Sequence, residues 1–173
     1  MGEVRIVRAG QERIDDLEPL WKALQEHHLA GEEEIPGIPM RRPDDSWPRR
    51  RARYVRWLAE PDAFALIAEE NDRPVGYALV TVHGPADDTH VTRDRLAELQ
   101  SLSVEAGRRG KGVGGRLMEA VYAELRALDV RELVIGVMAS NHEAIRYYER
   151  LGFNPWLAVY MGTIPDPPAE PGP

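Results

Sequence analysis

The residues best suited to chemistry sit in one stretch of eight, Arg108-Arg109-Gly110-Lys111-Gly112-Val113-Gly114-Gly115. Glycine has no Cβ, so its backbone amides can come close to an anion. Two arginines and a lysine in the same stretch add charge that pairs with phosphate oxygens. An apolar helical period begins at Val113, so the positive end of a helix points at the same place. Together these residues describe a site for a phosphate or pyrophosphate group. Gly110, Gly112 and Gly115 also satisfy the glycine spacing of a dinucleotide-binding turn, but the context disagrees. Glu105 to Arg109 separate the glycines from the preceding strand, and the next apolar strand ends in Met138-Ala139-Ser140 without an acidic residue. No Gly-Lys-Ser or Gly-Lys-Thr occurs, which removes the P-loop reading.

Other chemistries are excluded by what the chain lacks. It has no cysteine, so disulfides, thiolate metal sites and a cysteine nucleophile are ruled out. An acyl group, if one is transferred, has no thiol of this protein to rest on. His27, His28, His83, His90 and His142 do not fall at metal-ligand spacing, so no metal site is expected.

The elements that must position the glycine turn can be traced from the apolar periods. Val4 to Arg8 alternates as a first strand. Asp15-x-x-Glu18 reads as a capping box for a helix with Leu17, Trp21, Leu24 and His28 on one face. Gly31 to Asp45 is a proline- and glycine-rich loop, and a helix is expected from Ser46 to before Pro61. The run Arg49-Arg50-Arg51, with Arg53 and Arg56, forms its solvated face. Ala63 to Glu70 and Val75 to Val82 make a hairpin around Asn71-Asp72-Arg73-Pro74, and a second polar loop covers Gly84 to Asp94. From Leu96 to Val104 the apolar side shifts from odd positions (Ala97, Leu99) to even ones (Leu102, Val104). A strand alternates strictly, so the slip predicts a β-bulge near Gln100-Ser101; the other reading starts the strand at Ser101. Val113, Leu117, Val121, Leu125 and Leu128 follow a helical period. Leu133 to Met138 reads as a buried central strand, and Ser140-x-x-Glu143 caps a helix that stops at Gly152. Phe153 to Ile164 supplies one or two last strands. Residues 1–164 are expected to form a single domain, followed by a proline-rich tail, 165–173, unable to pair.

Arg109-x-x-Gly112-x-Gly114 after a bulged strand resembles the acetyl-CoA signature of the GNAT superfamily of N-acetyltransferases. Asn141-x-x-Ala144-Ile145-x-Tyr147-Tyr148-Glu149-x-Leu151-Gly152-Phe153 resembles that family's second motif. The likeness is strong over Leu96 to Phe153, extends to element order alone over Val4 to Val82, and does not reach the tail. It implies an α/β fold: a mixed sheet of six or seven strands with helices on both faces, bulged in strand four and split between strands four and five. It implies that Leu102, Ser103 and Val104 pair with the pantetheine arm of acetyl-CoA, that Arg109, Gly110, Lys111, Gly112, Val113, Gly114 and Gly115 hold its pyrophosphate, and that Asn141 contacts the arm. Tyr148 matches the position that protonates the departing thiolate. Glu98 matches an acidic position that takes the acceptor's proton, with His83, His90 and Asp94 as competitors.

The resemblance thus implies acetyl transfer from acetyl-CoA to a primary amine by direct attack in a ternary complex. Two other readings stay open: a non-catalytic acyl-CoA-binding module, and an acyltransferase for a longer acyl chain. Glu32-Glu33-Glu34, Asp44-Asp45 and Asp87-Asp88, in the two loops expected to shape the acceptor site, favour a cationic acceptor. The net charge of −7 argues against nucleic acid as partner. No apolar run approaches the roughly 20 residues that span a bilayer. The charged, alternating start of the chain is unlike a signal peptide, and Ile6 occupies the place where a myristoylation motif needs Ser or Thr, so a cytoplasmic location is expected. The tail could lie across a partner subunit in a homodimer.

Overall fold

The computed structural model describes residues 3–31, 35–84 and 90–165 of the chain. Strands β1 (Val4–Ala9), β2 (Phe64–Glu70), β3 (Arg73–His83), β4 (Leu96–Val104) and β5 (Glu132–Ile135) form one mixed sheet in that order. Neighbours are antiparallel except β4 and β5, which run parallel. Helices α1 (Glu18–Gly31) and α2 (Pro43–Trp57) cover one face, and α3 (Val113–Ala127) and α4 (His142–Arg150) pack on the other. Tyr54, Tyr77, Leu79 and Ile67 anchor the first core; Leu117, Val121, Val80 and Leu99 anchor the second.

The mixed α/β sheet with helices on both faces is the one expected, yet it has five strands among the described residues instead of six or seven. Phe153 to Ile164 joins no ladder, and Trp156, Leu157, Val159, Tyr160, Met161 and Ile164 are exposed. An apolar pattern suits a strand, but a strand forms only through hydrogen bonds to a neighbour. The run read as Leu133 to Met138 stops at Ile135 and is half-buried, because β5 is the sheet's edge.

Local chemistry explains most boundaries. Glu70 pairs with Arg73, leaving Asn71 and Asp72 as a two-residue turn with φ of 52° and 58°. Positive φ at both positions matches the right-handed twist of a hairpin, and Asn and Asp tolerate it. Asp15 does not cap a helix. A 3-10 segment, Gln11–Leu17, leads into α1, and the Asp15 carboxylate accepts two bonds from Arg51 at 2.6 and 2.9 Å. Helix α2 starts at Pro43, three residues before Ser46, because a proline in the first turn has no amide to leave unpaired. Its arginine run is not simply solvated, since Arg50 lies 4.0 Å from the Trp21 ring centroid.

Candidate active site

Across β3, Leu79 pairs with Ser101 and Val80 with Leu99, so Gln100 is the extra residue of the bulge. The bulge turns Ala97, Leu99, Leu102 and Val104 toward the α3 core despite their broken alternation. The other face carries Glu98, Ser101 and Ser103. Ser101 Oγ lies 2.7 Å from Tyr54 Oη, which lies 2.9 Å from Tyr77 Oη, and Ser103 Oγ donates to the Leu20 carbonyl at 3.0 Å. Burial raises the pKa of both phenols, which keeps them neutral hydrogen-bonding groups. These bonds tie α1 and α2 to the bulged strand. The β4–β5 ladder ends at Leu99–Ile135, so the β5 side of Gln100 to Val104 has no strand partner among the described residues. An extended ligand can take the missing strand's place there.

Val104 leads through a 3-10 turn, Ala106–Arg108, into the glycines. Gly110 and Gly112 have φ of 70° and 81°, and a Cβ at either would meet nothing within 4 Å. Gly112 is the N-cap of α3, and no side chain caps that helix. The turn therefore opens bare amides and a helix N-terminus to the outside. Its cations are not equally available. Arg108 donates to buried Glu70 Oε2, through Nε at 2.8 Å and through Nη2, so its charge is already matched. Arg109 Nε donates to the Val104 carbonyl at 3.2 Å, and Lys111 Nζ to the Gly107 carbonyl at 2.9 Å. Neither has an acidic partner among the described residues, so both charges remain for an anion.

Asn141, not Ser140, caps α4: its Oδ1 accepts from the Ala144 amide at 3.0 Å, which leaves the side-chain amide nitrogen for another partner. One turn further, the Tyr148 ring meets Phe153 edge-on at 6.1 Å and Tyr147 at 5.3 Å. Burial raises the Tyr148 pKa, with Tyr147 and Tyr122 adding to the effect, so its phenol keeps its proton. Tyr147 Oη is buried without a partner and lies 3.4 Å from the place of a Cβ on Gly114, where α4 packs on α3.

Glu98 lies opposite Thr81 on the α1–α2 face, the other side of the sheet from Tyr148. Its Oε2 is 3.9 Å from His83 Nε2, and His83 Nδ1 is 4.0 Å from Glu60 Oε2. Thr81 Oγ1 lies 2.8 Å from the same Nε2 and accepts from Gln100 Nε2 at 3.0 Å. His90, the second candidate imidazole, meets Trp156 edge-on at 5.9 Å. Glu60 was missed because the sequence placed it at the end of the helix expected from Ser46 to before Pro61, whereas α2 ends at Trp57 and Glu60 stands in the turn that follows. A cavity of about 180 Å³ lies between the end of α1 and the start of α4, lined by His27, His28, Asn141 and His142 among others. Burial lowers the His28 pKa, with help from His27 and Arg50. Of the expected acidic loops, Glu32 to Glu34 and Asp87-Asp88 lie outside the described residues. Asp44 and Asp45 belong to the first turn of α2, where Lys22 binds Asp44 at 2.7 Å. Among the described residues no group of three or more His, Asp or Glu side chains is arranged to hold a metal ion, and no helix is long and apolar enough to cross a membrane.

Comparison with known proteins places this fold and sequence in a family. The model of the acetyltransferase (GNAT) family matches residues 21–153, and the chain belongs to that family. It is 31% identical over 103 residues to an uncharacterized N-acetyltransferase of Methanocaldococcus jannaschii, covering 58% of this chain and 43% of that one. It is 33% identical over 85 residues to a mycothiol acetyltransferase of Streptosporangium roseum, covering 49% and 24%. The chain thus spans less than half the length of these relatives. Its fold matches a GCN5-related N-acetyltransferase of Ralstonia eutropha with a TM-score of 0.73 at 17% identity, over 93% of this chain and 99% of that one. An aminoglycoside N-acetyltransferase in complex with CoA matches with a TM-score of 0.70 at 18% identity, over 95% and 96%.

Proposed function

We propose that the chain moves an acetyl group from acetyl-CoA to a primary amine by direct attack in a ternary complex. One observation carries this: from Gln100 to Val104 strand β4 has no partner on its β5 side among the described residues and runs on into the turn of Gly110 and Gly112, with Tyr148 on one sheet face and Glu98 on the other. The pantetheine arm pairs with the free edge of Leu102, Ser103 and Val104. The pyrophosphate lies against the amides of Gly110 to Gly115 and the charges of Arg109 and Lys111, and the Asn141 amide donates to the arm. Glu98 receives a proton from the acceptor's ammonium, and the freed nitrogen attacks the thioester carbon. A β4 amide then donates to the oxyanion, an interaction that contributes about 10²- to 10³-fold. When the C–S bond breaks, Tyr148 protonates the thiolate. The absence of cysteine fits the direct route. The half-exposed carboxylates of Glu98 and Glu60 favour a cationic acceptor.

A thiol-release assay with acetyl-CoA tests the reading against polyamines, amino acids, peptides and aminoglycosides, the last being the substrates named for one structural neighbour. Release that depends on the amine, with the mass of one acetyl group added to it, is expected. Acetyl-CoA binding without turnover of any amine would instead favour the regulatory-module reading.

A further inference from the structure

Gln100, Thr81, His83, Glu98 and Glu60 form a connected polar line from the bulge to the surface. Gln100 Nε2 donates to Thr81 Oγ1 at 3.0 Å, and the same oxygen lies 2.8 Å from His83 Nε2, where it can accept the ring's Nε2 proton or give its own. Nε2 is also the ring nitrogen near Glu98. Nδ1 faces Glu60. At 3.9 and 4.0 Å neither carboxylate bonds the ring directly, and each gap is short enough for a single water to bridge. Glu60, Glu98 and His83 are each about two-fifths exposed, which leaves room for such waters. Asp62, two residues after Glu60, is paired with Arg95, so Glu60 and Glu98 are the charges flanking the imidazole among the described residues.

We propose that His83 is a proton relay that carries the acceptor's proton from Glu98 out to Glu60 and solvent. The proposal rests on the acetyl-transfer reading above. The ammonium gives one proton to Glu98; a ring holding its proton on Nδ1 accepts that proton at Nε2 and releases the Nδ1 proton toward Glu60, and proton exchange with solvent returns the ring to its starting tautomer. Carbon–nitrogen bond formation and C–S cleavage then follow. The second proton, lost from nitrogen as the amide forms, balances the one that the thiolate takes from Tyr148. One proton is released per turnover, and it is the one that passes through His83.

The test uses the full chain with an amine shown to be turned over by the wild type. His83→Gln should fold normally and bind acetyl-CoA as tightly as the wild type, while kcat at pH 7 falls about 10²-fold. In His83→Ala, imidazole added to the buffer should restore turnover in proportion to its neutral form, because a small base can occupy the vacated place. Unchanged kcat in His83→Gln, or a loss that imidazole does not repair, overturns the relay and leaves the acetyl-transfer reading intact. If the wild type itself turns over no amine, that reading fails and the relay falls with it.

Discussion

Tyr147 and Tyr148 are adjacent, and their hydroxyls have different surroundings. Burial raises the pKa of both, so each stays protonated at neutral pH and can donate but not act as a base. Tyr147 Oη is enclosed without a partner beside Gly114, a packing position. Tyr148→Phe should lower kcat about 10²- to 10⁴-fold in steady-state assays with little change in acetyl-CoA affinity. Tyr147→Phe should stay near wild type in kcat and no less stable to urea, since it removes a hydroxyl that makes no bond. Matching kcat in the two variants would return Tyr148 to the core. The motif spacing singled out Tyr148, but at Arg108 the sequence misled. Its guanidinium belongs to Glu70, 38 residues earlier, and a cation in a glycine turn looks the same whether or not a distant carboxylate holds it.

At the scale of elements, the α3 N-terminus and the bulged strand make the site. Gly112→Glu puts a side chain at φ 81° and a negative charge against the bare amides. Calorimetry should show acetyl-CoA affinity reduced by at least about tenfold, or 1.4 kcal/mol. The fold itself should lose about 1–2 kcal/mol from the left-handed backbone. Equal affinity in a folded variant would remove the turn from the binding site. Ser101→Ala breaks the bond from the bulge to Tyr54, which keeps Tyr77, so urea unfolding should show a loss of about 1 kcal/mol. No loss would mean that packing alone holds α2 to β4. The bulge was legible because a phase slip in alternation lies within a few residues. The end of β5 was not, because Val137 and Met138 continue the apolar run although the ladder has stopped.

For the whole molecule, ion pairs join distant elements across the sheet's β1 side. Glu69, on β2, is buried and accepts from Arg5 at 2.8 Å and Arg13 at 2.7 Å. Its pKa is lowered, first by the hydrogen bond from Arg5 and also by Arg13. A lowered folded pKa contributes stability that is complete above the unfolded value, about 4.3, and lost as pH falls through the folded one. Glu69→Gln should therefore be less stable than wild type at pH 6–7, and the gap in urea midpoint should close as pH drops below about 4. A gap that persists unchanged in acid would assign the effect to packing and not to charge.

By itself the sequence determined the features whose causes are local. Asn71-Asp72 forms the hairpin turn, Gly110 and Gly112 take the left-handed backbone ahead of α3, the slip in apolar alternation near Gln100-Ser101 marks the bulge, and Gly152 ends α4 at φ 92°. Each follows from the steric or hydrogen-bonding needs of a few consecutive residues. Only the tertiary structure decided which charge meets which and on which side of the sheet each group stands. His83 stands between Glu60 and Glu98, and Arg108 turns to Glu70. Tyr148 lies across the sheet from Glu98, and β4 keeps an open edge because β5 leaves it after Ile135. These are neighbours in space contributed by elements far apart in the chain, and spacing along a chain carries no record of which strands and helices will pack together.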